Sequence, residues 1–120
     1  MKKNNQKTIK LTDQFGGVLR FATATIIGQV GVHCGINDNS DEWIVTHIPT
    51  GDCVAQCPNE LVALALARWI EKQVPQNKHR AWQSCDHATA RRVFGNPAKT
   101  RARVKAKVRQ LAEKQNGAIT

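Results

Sequence analysis

Positive charge is absent from the middle of this chain, and negative charge is absent from the start of its last segment. No Lys or Arg occurs from residue 21 to residue 60, and no Asp or Glu interrupts Ala98 to Arg109. A long apolar run is also missing. The charged opening MKKNNQKTIK leads into no hydrophobic stretch, which argues against a signal peptide or a membrane span and makes a cytoplasmic location, with no membrane partner, the expectation. There is no Gly-rich run ending in Lys-Ser or Lys-Thr, so a phosphate-cradling loop is not expected. The four cysteines and four histidines lie in no local signature of a nucleophilic enzyme, and neither internal repeats nor low-complexity tracts occur beyond one basic run. These absences point away from an enzyme and from any bound cofactor.

With 120 residues and 41% hydrophobic content, the chain suits one globular domain that buries about two thirds of its unfolded surface. Formal net charge is +9. Residues 1–20 hold five bases and one acid, residues 21–60 five acids, and residues 61–120 thirteen bases and three acids. Such asymmetry predicts a molecule with one face for anions. In a reducing compartment Cys34, Cys53, Cys57 and Cys85 are expected as thiols or metal ligands.

The pattern predicts an α+β domain over 8–115, with a flexible basic tail at 1–7 and another tail at 116–120. An antiparallel meander of three to four strands is expected over about 8–57. Thr8–Leu11 reads as a short strand. The alternating stretch from Val18 to Cys34 reads as one strand or as two joined near Gly28, with Ala22, Ala24, Ile26, Val30 and Val32 on a common face. Glu42–Ile48 is the clearest strand. Pro49-Thr50-Gly51-Asp52 is a tight turn, and Cys53–Cys57 a return strand. Helices are expected at about 59–74, 78–94 and 97–115. The first carries a wide apolar stripe that should pack on the sheet.

The basic run alternates strictly: Lys99, Arg101, Arg103, Lys105, Lys107 and Arg109, with small or apolar residues between them. Alternation suits a strand, but Ala, Lys, Arg, Gln and Leu are strong helix formers. Asn96-Pro97 and Gly117 are helix punctuation. A helix is therefore predicted, docked by Thr100, Val104, Val108 and Leu111. The competing view, a solvated face with no partner, stands beside it. Residues 81–94, the Gly95-Asn96 turn and 97–114 have the order of a helix-turn-helix, although Arg91 falls where a small residue should pack.

A meander followed by helices resembles, in layout, the double-stranded-RNA-binding and AP2-like DNA-binding domains, which pack a three-stranded sheet on a helix. No motif residue of either family is present here. The small, basic, cysteine-bearing chain also looks like accessory proteins of phages and plasmids.

The expectation is a small non-enzymatic nucleic-acid-binding protein. Its candidate contacts to DNA or RNA are Lys78, Arg80, Arg91, Arg92, Lys99, Arg101, Arg103, Lys105, Lys107 and Arg109, with Trp82 placed among them to stack on a base. One alternative is a mobile-element inhibitor that binds a host nucleic-acid-processing protein, such as an anti-CRISPR protein. Another is a small zinc module using Cys53, Cys57, Cys85 and His87, with His33, Cys34 and His47 as further donors. The two strand cysteines would then share a face about 13 Å apart and need a loop to converge. Oligomeric state is left open, a dimer included.

Overall fold

The structure is a computed structural model and describes residues 6–12, 17–35 and 42–119. Five strands follow one another in sequence and in space: β1 (Gln6–Thr12), β2 (Val18–Ile27), β3 (Val30–Cys34), β4 (Trp43–His47) and β5 (Asp52–Cys57). All neighbours are antiparallel. The meander therefore has five strands, where three to four were expected. Of the two readings of Val18 to Cys34, the two strands joined near Gly28 are found: its φ of 59° lets Gly28-Gln29 reverse the chain in two residues.

That reversal also redistributes the side chains. Ile27 faces Val30 and Ile26 faces Gly31, so Ala24 and Ile26 share one side of the sheet while Val30 and Val32 take the other. The single apolar face expected for 22–32 is two faces. The sheet curls until β1 reaches β5. The Thr12 N–H donates to the Gly51 carbonyl at 2.9 Å, and the Thr12 hydroxyl donates to the Thr50 carbonyl at 3.1 Å. Gly51 is required at this seam: φ is 79°, and a Cβ there would lie 2.7 Å from Thr12 Cγ2 and 2.9 Å from the Lys10 carbonyl oxygen.

The concave side encloses a small core of Ile9, Leu11 and Ala24 with Ala22, Ile26 and Ile48 around it. His33 is buried on this side too. Its Nδ1 lies 2.7 Å from the Cys34 carbonyl and its Nε2 2.8 Å from the Thr46 hydroxyl. Those partners select the neutral Nδ1–H tautomer, and burial pushes the imidazole pKa down.

The convex side is covered by α1 (Glu60–Gln73). Asn59 caps it by accepting from the Val62 N–H at 3.0 Å, and Pro58 stands just before the cap. Val62, Ala63, Leu66, Ala67 and Ile70 are buried against Val30, Val32, Val45 and Cys57 in the main core. Burial of Leu66 and Ile70 contributes about 1.5–3 kcal/mol each before entropy is subtracted. Burial also raises the Cys57 thiol pKa to about 11, so this cysteine is an inert packing group.

After Pro75 the chain forms a short 3₁₀ turn (Gln76–Lys78), then α2 (His79–Trp82) and α3 (His87–Arg91). The continuous helix expected over 78–94 is broken at 83–86. Asp86 restarts it as a cap, accepting from the Thr89 N–H at 2.9 Å and the Thr89 hydroxyl at 2.6 Å. A side chain that satisfies backbone donors locally competes with helix continuation. The first helix of the expected helix-turn-helix order shortens with it to His87–Arg91. Finally, α4 (Pro97–Ile119) runs 23 residues, so 116–119 of the expected tail is helical. At the other end, Gln6 and Lys7 of the expected tail belong to β1, and residues 1–5 lie outside those described. The domain is thus α+β, with a five-stranded sheet in place of the three-stranded one of the double-stranded-RNA-binding layout. Among the described residues no helix is long and apolar enough to cross a membrane.

Candidate functional site

The basic segment is helical because its start is fixed locally. Asn96 Oδ1 accepts from the Ala98 N–H at 2.8 Å and the Lys99 N–H at 3.3 Å, and Pro97 occupies the first helical position, where no N–H is needed. Val104 is buried, and Val108, Leu111 and Ala112 are partly buried against the main core. The Asn59 side-chain amide donates to Gln115 Oε1 at 2.7 Å. Asn59 thus caps α1 and also pins the far end of α4, so the two helices run antiparallel.

Helical geometry reorganises the alternation. Each step of two residues turns about 200°, and each step of four turns about 40° with a rise of about 6 Å. The six bases therefore fall into two rows on opposite flanks: Lys99, Arg103 and Lys107 on one, Arg101, Lys105 and Arg109 on the other. Between them, facing away from the core, lie exposed Ala102 and Ala106. Lys99, Arg101, Arg103, Lys105 and Arg109 are exposed, and among the described residues no carboxylate lies within ion-pair distance of any of them. Lys107 differs. It is half-buried, its ammonium sits 5.5 Å from the centroid of the Trp69 ring, and it donates to Gln110 Oε1 at 2.9 Å.

The remaining predicted contacts separate. Lys78, Arg80 and Arg92 are exposed. Arg91 is exposed and donates from Nε to Asp52 Oδ2 at 3.3 Å. Trp82 is not available to stack on a base: it is 5% exposed. Its indole N–H donates to Glu71 Oε2 at 2.7 Å, and its ring packs 4.0 Å from His47 and 5.2 Å from Phe94, centroid to centroid. A large aromatic side chain at helical spacing has gone into the core.

The same region forms a cleft of about 520 Å³ between the end of the sheet, α3 and the first turns of α4. Trp82, Ala90, Phe94, Val54 and Val104 make its apolar wall; Thr12, Thr50, Asp52, Arg91, Thr100 and Arg101 supply polar groups. His47 is held at its back. Nε2–H donates to the Trp82 carbonyl at 2.6 Å, and Nδ1 accepts from the Thr50 hydroxyl at 2.8 Å. Burial lowers its pKa although the Trp82 carbonyl favours the charged form, so the ring is a neutral strut. Asp52 is the local hub: Oδ2 receives His87 Nδ1 at 2.9 Å and Arg91, while Oδ1 receives the Thr12 hydroxyl at 3.4 Å. The sequence marked Asp52 only as a turn residue. Its meeting with His87 and Arg91, more than thirty positions away, left no local signal.

The proposed zinc donors do not come together. The register shift between Val45 and Thr46 pairs Ala55 with Val45 but Cys53 with Thr46, leaving Val54 as an extra residue. This bulge reverses the parity of β5. Cys53 is exposed and Cys57 buried, on opposite faces where one face was expected. Cys85 is exposed, and His87 is engaged by Asp52. His33 and His47 have both ring nitrogens occupied by partners. Among the described residues no cluster of three or more His, Cys, Asp or Glu side chains is placed to hold a metal ion. No family model, curated protein or solved structure matches this chain.

Proposed function

We propose that this chain is a small non-enzymatic nucleic-acid-binding protein that grips phosphates with the basic rows of α4, extended by Arg92 beyond the start of the helix. The observation that carries this reading is the set of five exposed bases between Lys99 and Arg109 on α4 with no carboxylate partner among the described residues, on a helix anchored by Val104, Val108, Leu111 and the Asn59–Gln115 bond. A helix held this way presents fixed charge in place of a floppy tail, which lowers the ordering cost of binding. The ridge between the rows is alanine, with nothing to hydrogen-bond a base edge. The phosphate contacts proposed for α4 carry no sequence information themselves.

The test is a fluorescence anisotropy titration with labelled single-stranded and duplex oligonucleotides at several salt concentrations. If about six bases neutralise phosphates, log affinity falls against log salt with a slope of about −5. No binding at low salt contradicts the proposal. A host protein retained on the purified chain after nuclease treatment, with no nucleic-acid affinity, would replace it with the inhibitor reading.

A further inference from the structure

We propose that the cleft between the sheet end, α3 and α4 receives one unpaired nucleotide of the bound strand, with the base against Phe94 and Val104 and the phosphate between Arg91 and Arg101. This rests on the phosphate-binding role of α4 and names what one end of that surface does. Four observations carry it. At about 520 Å³ the cavity lies within the roughly 300–1,000 Å³ of small-ligand pockets and has their composition, an apolar wall with a few convergent polar groups. The wall holds an aromatic ring, Phe94, half-buried and already stacked edge-on against Trp82, the type of surface on which a base packs. Arg91 and Arg101, from two different helices, both line the cleft, and Arg91 also donates to Asp52 there. Arg101 is also the first member of the row that continues through Lys105 and Arg109. A strand lying along that row is thus delivered to the cleft with its backbone already neutralised.

Asp52 fits the same occupant. Its Oδ2 is committed to His87 and Arg91, whereas among the described residues Oδ1 has only the 3.4 Å contact from Thr12. It retains acceptor capacity for a sugar hydroxyl or a base amine. The carboxylate also disfavours a bare dianion such as inorganic phosphate relative to a nucleotide that brings donors of its own.

The experiment is a ¹H–¹⁵N NMR titration of the full chain with a nucleoside 5′-monophosphate, run beside inorganic phosphate and the free nucleoside. Saturable shifts centred on the amides of Thr50, Asp52, Ala90 and Arg101 and on the Trp82 indole are expected with the monophosphate. Each fragment alone should bind at least tenfold more weakly. Arg101→Ala should weaken monophosphate binding about tenfold, and Thr100→Trp, which fills the mouth, should abolish it. Oligonucleotide anisotropy on the same samples separates the two proposals. Absent or unsaturable shifts with oligonucleotide binding intact overturn the cleft assignment and leave α4 standing. Monophosphate affinity unchanged in Arg101→Ala also overturns it. Saturable monophosphate binding without any oligonucleotide binding would make this a free-nucleotide site and overturn the claim that it serves a strand.

Discussion

The curled sheet and the last helix treat polar groups in opposite ways. Inside the sheet and at its end, His33, His47, Thr46 and Thr50 are buried, and each is hydrogen-bonded; among the described residues no buried side-chain polar atom lacks a partner. On α4, the five exposed bases between Lys99 and Arg109 have no carboxylate partner among the described residues. A buried polar group without a partner costs about 1–3 kcal/mol, so the interior must close its own bonds. A solvated base costs little to leave open and is free for an outside anion. The sheet and α1 hold the shape, and α4 carries the rows of exposed bases that the proposed function assigns to a partner.

That division is broken most severely from the core side. Leu66→Ala removes a fully buried side chain at the α1–sheet contact and should cost about 2–5 kcal/mol in denaturant unfolding. An effect under 1 kcal/mol would mean that α1 does not anchor the sheet. Next comes the seam. Gly51→Ala forces a side chain into a left-handed backbone and against Thr12 and Lys10, with an expected loss of about 2–3 kcal/mol. Retention of full stability would show that β1 and β5 do not meet there.

A smaller effect is pH-dependent. His33 and His47 both have pKa values lowered by burial, so the unfolded chain binds protons more readily than the folded one. Their contribution is present in full above the ordinary imidazole pKa of about 6.5 and is lost as pH falls from there towards the folded-state values. The melting temperature should drop between pH 7 and pH 5, and His33→Gln should flatten the slope. A slope that is unchanged in that variant, or that rises towards acid, would remove the neutral-histidine account. Smallest is Lys107, whose ammonium lies over Trp69. Its replacement by Gln should cost about 0.5–1 kcal/mol, read from a urea titration. No detectable change would place Lys107 with the freely solvated bases.

The elements were legible where local chemistry decides them. The stripe of α1, the Glu42–Ile48 strand and the helical state of 97–115 follow from periodicity, caps and propensity. Three readings failed for reasons that are not local. The hairpin at Gly28-Gln29 separated Ala24 from Val30, because strand pairing decides which face a residue takes. The bulge at Val54 separated Cys53 from Cys57 for the same reason. Trp82 sits among bases in sequence, yet its indole finds Glu71 and its ring finds His47 and Phe94. The basic rows could be read ahead of the structure, as they come from one continuous segment. The cleft could not, since Thr12, Asp52, Arg91 and Arg101 meet only when the sheet curls and α4 docks.

The most direct test is the salt dependence of oligonucleotide binding by the whole protein and by the combined variant Arg101→Ala, Arg103→Ala, Lys105→Ala, Arg109→Ala. The log–log slope should fall from about −5 to about −2 while the melting temperature stays near that of the unaltered chain. An unchanged slope and affinity in the fully folded variant would contradict α4 as the phosphate-binding surface.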